Sequence, residues 1–175
     1  IRLPWLDAPN RKVWGKLECN QITGSFKIRG AINATLQTPD YDQIVTYSAG
    51  NHGLAMAYAS NLLNKPCTIF VPNNASEIKL RKLIKYGVNI EIAGSDLYES
   101  GFHAKKRSEE TKSAFITPFS TPNVVIGQGT LGPELLKQLD RIDSLIIPLG
   151  GGGLLTGLGA YFRHVSPHTV IMATF

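Results

Sequence analysis

Apolar residues along this chain come in short bursts separated by longer mixed stretches, and the two alternate regularly. Ile44-Val45-Thr46-Tyr47, Cys67 to Val71, Asn89 to Ala93, Phe115-Ile116-Thr117, Ser144 to Pro148 and Val170 to Ala173 read as strands: short, β-branched runs bounded by turn residues. The stretches between them place apolar residues at helical spacing. Helices are expected over Phe26 to Leu36, His52 to Leu63, Glu77 to Tyr86, from Ser95 to about Lys112, Val125 to Leu139, and Leu154 to about Arg163. Ser76 and Ser95 are the expected N-caps, and Gly87 the glycine that ends its helix. Val13 to Glu18 alternates weakly and is expected as one more short strand, followed by a loop from Cys19 to Gly24.

Strands alternating with helices call for parallel pairing, because a helical crossover returns the chain to the same end of the sheet. The expected class is therefore α/β, with open parallel sheets in two lobes and flanking helices. Ligands of such sheets bind beyond the carboxyl ends of the strands. No low-complexity linker is present. The crossings between lobes fall near Asp40 and Pro122, which gives residues 43–120 as a smaller domain and 1–42 with 121–175 as a larger one.

Composition narrows the partners. The 175 residues are 43% hydrophobic and 18% charged with a net charge of +5, the profile of a globular domain. The basic residues gather at Lys79-Leu80-Arg81-Lys82 and Lys105-Lys106-Arg107 without interleaved aromatics, which argues for solvated helix faces and against nucleic-acid binding. Cys19 and Cys67 form no CxxC pair and point to reduced thiols in a reducing, cytoplasmic compartment. The histidines have no metal-ligand spacing, so no metal is expected. Nothing approaches a membrane span. The chain opens on Ile1 and stops in a strand-like run, and is read as part of a longer polypeptide.

Three loops carry candidate chemistry. In Ser25-Phe26-Lys27-Ile28-Arg29-Gly30 a lysine stands at the start of an apolar helix, where the helix dipole disfavours added positive charge and favours a neutral, nucleophilic amine. A surface lysine with a snorkelling stem is the alternative for these residues taken alone. Gly150-Gly151-Gly152-Gly153, between a strand and a helix, lets bare backbone N–H groups approach an anion such as phosphate. Gly151, Gly153 and Gly157 echo a dinucleotide fingerprint, but the spacing is one residue too long, and no Lys-Ser/Thr follows for a P-loop. Ser48-Ala49-Gly50-Asn51-His52-Gly53 makes a strand-end turn whose backbone donors suit a carboxylate, with Asn51 either offering its amide to a phenolic oxygen or capping its helix.

Together these motifs, with Gly127-Gln128-Gly129-Thr130 between them, resemble the pyridoxal-phosphate enzymes of the tryptophan-synthase-β fold type, in the threonine dehydratase and serine racemase branch. The resemblance runs over nearly the whole chain and implies pyridoxal 5′-phosphate as cofactor. By that resemblance Lys27 forms the Schiff base and shuttles the α-proton, Phe26 packs beside the cofactor, and Asn51 bonds its ring hydroxyl. Gly150, Gly151, Gly152 and Gly153, with the Leu154 amide, hold the phosphate. Ser48, Ala49, Gly50, Asn51 and His52 hold the carboxylate of a hydroxy amino acid. The implied activity is a threonine/serine ammonia-lyase giving a 2-oxo acid, and the implied assembly is a homo-oligomer.

Departures qualify the picture. Racemases of this branch carry a serine at the place of Ala49, which favours elimination here. Ser120 stands where the branch more often has an acidic or amide residue, and Thr174 where it often has Glu. The partner of the pyridine nitrogen belongs to a part of the family's fold that this chain does not contain. A non-catalytic homologue that binds the cofactor or an amino acid, and a β-replacement enzyme, are the alternatives.

Overall fold

The computed structural model describes residues 1–175. Its main sheet has four parallel strands in the order β3-β2-β1-β4: β1 Ile44–Tyr47, β2 Cys67–Val71, β3 Asn89–Ile92 and β4 Ala114–Ile116. Thr46 pairs with Ile69 on one side and with Ile116 on the other, so β1 and β4 end together. A second, two-stranded parallel sheet joins β5 Ser144–Pro148 to β6 Val170–Thr174. The helices are α1 Lys27–Leu36, α2 Asn51–Leu62, α3 Glu77–Ile84, α4 Leu97–Glu110, α5 Pro122–Gly129, α6 Leu131–Gln138 and α7 Gly153–Val165. None is long and apolar enough to cross a membrane.

Two main apolar cores result, beside a small cluster of Val45, Phe70 and Ala104. The larger gathers Ile28, Ala31 and Ala34 of α1, Ala55, Met56 and Ala59 of α2, Ile69 and Val71 of β2, Ile116 of β4 and Val124 of α5. The smaller gathers Leu131 and Leu135 of α6, Ile147 of β5, and Leu154, Leu158 and Phe162 of α7, with Phe26 packed against it. The residues on either side of Lys27 are thus anchored in different cores, Phe26 in one and Ile28 in the other. That arrangement puts the lysine at the seam.

Helix α2 is sheathed nearly all round. Gly53, Ala55, Met56, Ala57, Ala59 and Ser60 are buried, because the helix lies between the sheet, α1 and α3. The small side chains therefore serve several packing faces rather than one.

Several expected elements differ. Val13 to Glu18 forms no strand; only isolated antiparallel bridges, such as Arg2 with Trp14, tie that region to the N-terminus, and Glu18–Asn20 is a 3-10 turn. The expected helix from Val125 to Leu139 is two helices that meet at Thr130. Pro133 explains the break, since it has no N–H to give and its ring crowds the carbonyl four residues back. Asp96, not Ser95, caps α4: its side chain accepts from the Glu99 N–H at 2.9 Å, while Ser95 N and Oγ donate to the Glu99 carboxylate. Ser76 is at the N-cap of α3 but makes no side-chain capping bond, whereas Gly87 does adopt φ +67 beyond that helix.

Candidate active site

The site is built where β1, β4 and β5 hand over to their following loops. Lys27 opens α1, half-buried, and its Nζ donates to the Pro118 carbonyl at 2.7 Å. The amine also lies 5.5 Å from the centre of the Phe26 ring. Burial lowers the lysine pKa below its ordinary 10.5, because an ammonium loses hydration there and gains only one carbonyl. This is a lysine with a more readily available lone pair.

Pro118 joins that amine to the glycine loop. The next residue, Phe119, lays its ring against Gly151, where a Cβ would overlap the ring, and its carbonyl stands 3.2 Å from where a Cβ on Gly153 would be. Lys27 and the tetraglycine turn are therefore held to adjacent residues of one segment. A Cβ on Gly150 would meet nothing within 4 Å, and Gly152 adopts φ +85. The turn thus presents bare backbone ahead of α7, whose N-terminus has no side-chain cap. The first-turn amides of Gly153 and Leu154 lie at the positive end of that helix.

The Ser48–His52 turn leaves β1 beside this seam. Ser48 Oγ is buried and accepts from Gly50 N at 3.1 Å, so the hydroxyl fixes its own turn. Gly50 is the N-cap of α2 with no side-chain capping bond, and Asn51 is exposed at the first helical position. Its amide is not engaged in capping. Ala49 is partly buried and packs against the larger core.

His52 does not face the open side. It is 3% exposed, with Nε2 3.0 Å from Thr46 Oγ1, which in turn donates to the Ile116 carbonyl at 2.6 Å. The hydroxyl has one proton and gives it to Ile116, so it accepts from His52, whose ring carries its proton on Nε2. Nδ1 is left buried without a partner. Desolvation, and then the nearby Lys27 charge, push the His52 pKa down to about 3. The imidazole is a neutral strut from α2 to β1, so any part His52 takes at the open side falls to its main chain.

The structure thus brings together Lys27, Phe26 and Gly150–Leu154 around Pro118–Phe119, with His52 of the Ser48–His52 turn near enough for the Lys27 charge to act on it. Sequence reading missed three supports. The Pro118–Phe119 segment reads as ordinary loop, although its place after a strand was a signal. Thr46, inside a strand, gave none. The third is an ion network: Arg29 donates to Glu18 at 2.7 and 2.9 Å and to Glu134 at 2.7 Å, and Lys16 pairs with Glu134. It ties the lysine helix to α6 and raises the Arg29 pKa, the Glu18 hydrogen bond acting most strongly. No group of three or more His, Cys, Asp or Glu side chains is placed to hold a metal. A polar cavity lined by Gln43, Thr68, Glu91 and Arg107 shares no residue with these turns.

Pyridoxal phosphate fits these residues. A half-buried amine of lowered pKa suits its aldehyde, an uncapped helix start behind bare glycine backbone suits its phosphate, and the exposed Asn51 amide suits its ring oxygen.

Comparison with known proteins agrees. The family described as pyridoxal-phosphate dependent enzyme matches residues 1–174. An L-threonine ammonia-lyase of Geobacter sulfurreducens is 36% identical over 163 residues, covering 91% of this chain and 40% of that protein. A serine racemase of Homo sapiens is 37% identical over 169 residues, covering 93% and 50%. The solved structure of a processed threonine deaminase isoform 2 from Solanum lycopersicum superposes with a TM-score of 0.85 at 36% identity, covering 90% of this chain and 44% of that one. The chain therefore spans half or less of the length of these relatives.

Proposed function

The chain belongs to the pyridoxal-phosphate dependent enzyme family, and from that premise we propose that it forms the lysine- and phosphate-binding part of a threonine/serine ammonia-lyase. The observation that carries this reading is the Pro118–Phe119 junction, with the Lys27 amine on one residue and the glycine turn on the next. When bound, the cofactor supplies an aldehyde for an amine and a ring that withdraws electrons from the α-carbon.

The roles of the chain's own residues follow from their surroundings. Lys27, easily deprotonated through burial, takes the α-proton at Nζ. The amides of Gly150 to Leu154 hold the phosphate, and the Asn51 amide bonds the ring oxygen. Main-chain donors from Ser48 to His52 orient the substrate carboxylate, with Ser48 and the His52 strut keeping that turn rigid. Ala49 has no proton to give. Without a hydroxyl at that position, where racemases of this branch carry a serine, elimination is favoured over racemisation. Water leaves in the elimination and is taken up as ammonia departs, so the net change is hydroxy amino acid to 2-oxo acid plus ammonia.

Residues 43–120 contain the whole four-stranded sheet and would form the smaller domain, with 1–42 and 121–175 in the larger. Cys19 and Cys67 are both free thiols, in keeping with a reducing, cytoplasmic setting, and a homo-oligomer is part of the same reading.

The test uses the full-length polypeptide loaded with pyridoxal phosphate. It should show a visible cofactor band and release 2-oxobutanoate from threonine or pyruvate from serine. Lys27→Ala should abolish both. A band that survives the substitution means another nucleophile; cofactor binding without turnover of any hydroxy amino acid means a binding protein rather than a lyase.

A further inference from the structure

We propose that Gln128 is a positioning residue, and that the Gly127-Gln128-Gly129 segment of α5 sets the spacing between the Lys27 helix and the glycine-turn helix. Gln128 is 1% exposed and touches neither candidate ligand-binding turn through a hydrogen bond. Instead its Oε1 accepts from the N–H of Gly30, 98 residues away, at 3.2 Å. Gly30 is the fourth residue of α1, and the Phe26 carbonyl that its N–H would ordinarily reach accepts from Arg29 N at 3.1 Å instead. The Phe26 residue at the N-cap makes no side-chain bond. A side chain from another helix thus supplies the cap that the lysine helix lacks.

The glycines around it let three helices stack by backbone contact. A Cβ on Gly30 would come within 2.6 Å of the Val124 carbonyl, and one on Gly127 within 2.6 Å of the Gly30 Cα, so α1 and α5 meet main chain to main chain. On the other side of α5, a Cβ on Gly157 would come within 2.7 Å of Gly129 N, and one on Gly129 within 3.0 Å of the Gly157 carbonyl. Helix α5 is therefore wedged between α1, which begins with Lys27, and α7, which begins behind the glycine turn. Apart from Gln128 itself, whose Nε2 is the atom nearest a Cβ on Gly30, these contacts are with backbone that cannot yield and change the spacing.

The other end of the amide sharpens the point. Gln128 Nε2 is buried with no partner, an arrangement that costs stability. The oxygen is the end with a task. If Gln128 served packing alone, a methionine of similar shape would remove the orphaned donor at little cost.

The experiment compares Gln128→Met, Gln128→Glu and Asn33→Ala in the full-length protein. Asn33 Nδ2 donates to the Asn123 carbonyl at 2.7 Å, a second α1–α5 bond farther along the helix, and serves as the control. The readouts are hydrogen exchange at the Gly30 amide without cofactor, the dissociation constant for pyridoxal phosphate, and the separate kcat and KM values. Gln128→Met should speed Gly30 exchange and weaken cofactor binding by about tenfold each, the scale of one lost hydrogen bond. Its kcat should fall with KM nearly unchanged. Gln128→Glu keeps an acceptor oxygen and should restore Gly30 protection, while Asn33→Ala should lower thermal stability without moving Gly30 exchange or the cofactor constant. Unchanged exchange and cofactor binding in Gln128→Met, or equal cofactor losses in Gln128→Met and Asn33→Ala, would overturn the proposal. The inference rests on the cofactor reading for its functional half. Should the wild-type protein bind no pyridoxal phosphate, that reading fails, and Gly30 exchange still decides whether Gln128 fixes the helix start.

Discussion

Two turns of this molecule do the same geometric job by opposite means. Ser48–Gly53 and Gly150–Leu154 each carry the chain from the end of a parallel strand into a helix N-terminus. The first is braced by side chains: Ser48 Oγ holds Gly50 N, the buried His52 ring bears on Thr46, and a Cβ on Gly53 would collide with the Ser48 carbonyl. The second has almost no side chains to brace it, and keeps its shape through Gly152 at φ +85 and the Phe119 ring against Gly151. The difference teaches what each can hold. A braced turn has its donors fixed before a ligand arrives, whereas an open glycine turn leaves room for a larger anion at the helix end.

Substitutions can break that contrast. Gly53→Ala should have the largest effect on stability, about 3 kcal/mol, because its obstacle is backbone that cannot rotate away; chemical denaturation measures it. A loss no greater than that of Gly152→Ala would show the first turn to be no more rigid than the second.

Acid titration probes the same brace. The folded His52 pKa of about 3 lies below its ordinary 6.5, so the neutral ring stabilises the fold fully above pH 6.5 and progressively less as pH falls towards 3. Glu99 and Glu134, whose pKa values are lowered from 4.5, weaken only below that value, which leaves pH 6.5 to 4.5 as the His52 window. Stability should drop there by about 1.4 kcal/mol per pH unit, and His52→Gln should flatten the slope. An equal slope in both proteins would mean the ring is not a neutral strut.

Gly152→Ala should cost about 1–2 kcal/mol through its left-handed backbone, with a marked loss of cofactor affinity that Gly53→Ala does not match. Smallest is Ser48→Ala, about 1 kcal/mol for the lost bond to Gly50 N, read from the same denaturation curves.

The strands were legible because short β-branched runs such as Cys67–Val71 leave few alternatives, and the parallel order followed from the crossovers. Lys27, Asn51 and the glycine run were legible as motifs because each needs a particular residue at a turn. The supports were not. Gln128 acts on Gly30 and Pro118 on Lys27 across 98 and 91 residues of sequence, and no local periodicity encodes such pairings. The turn places the His52 main chain among the carboxylate donors, but nothing in it foretells the buried ring: the helical twist from Asn51 to His52 turns one side chain outward and the next into the core. The split between α5 and α6 was visible in Pro133 and was outweighed by the apolar rhythm around it.

The most direct test of the account is the site of covalent attachment. Full-length protein loaded with pyridoxal phosphate, reduced with borohydride and digested, should carry a single phosphopyridoxyl group on the peptide containing Lys27. Modification at another lysine, such as Lys16, or none at all, would contradict the placement of the reactive amine at the seam between the two cores.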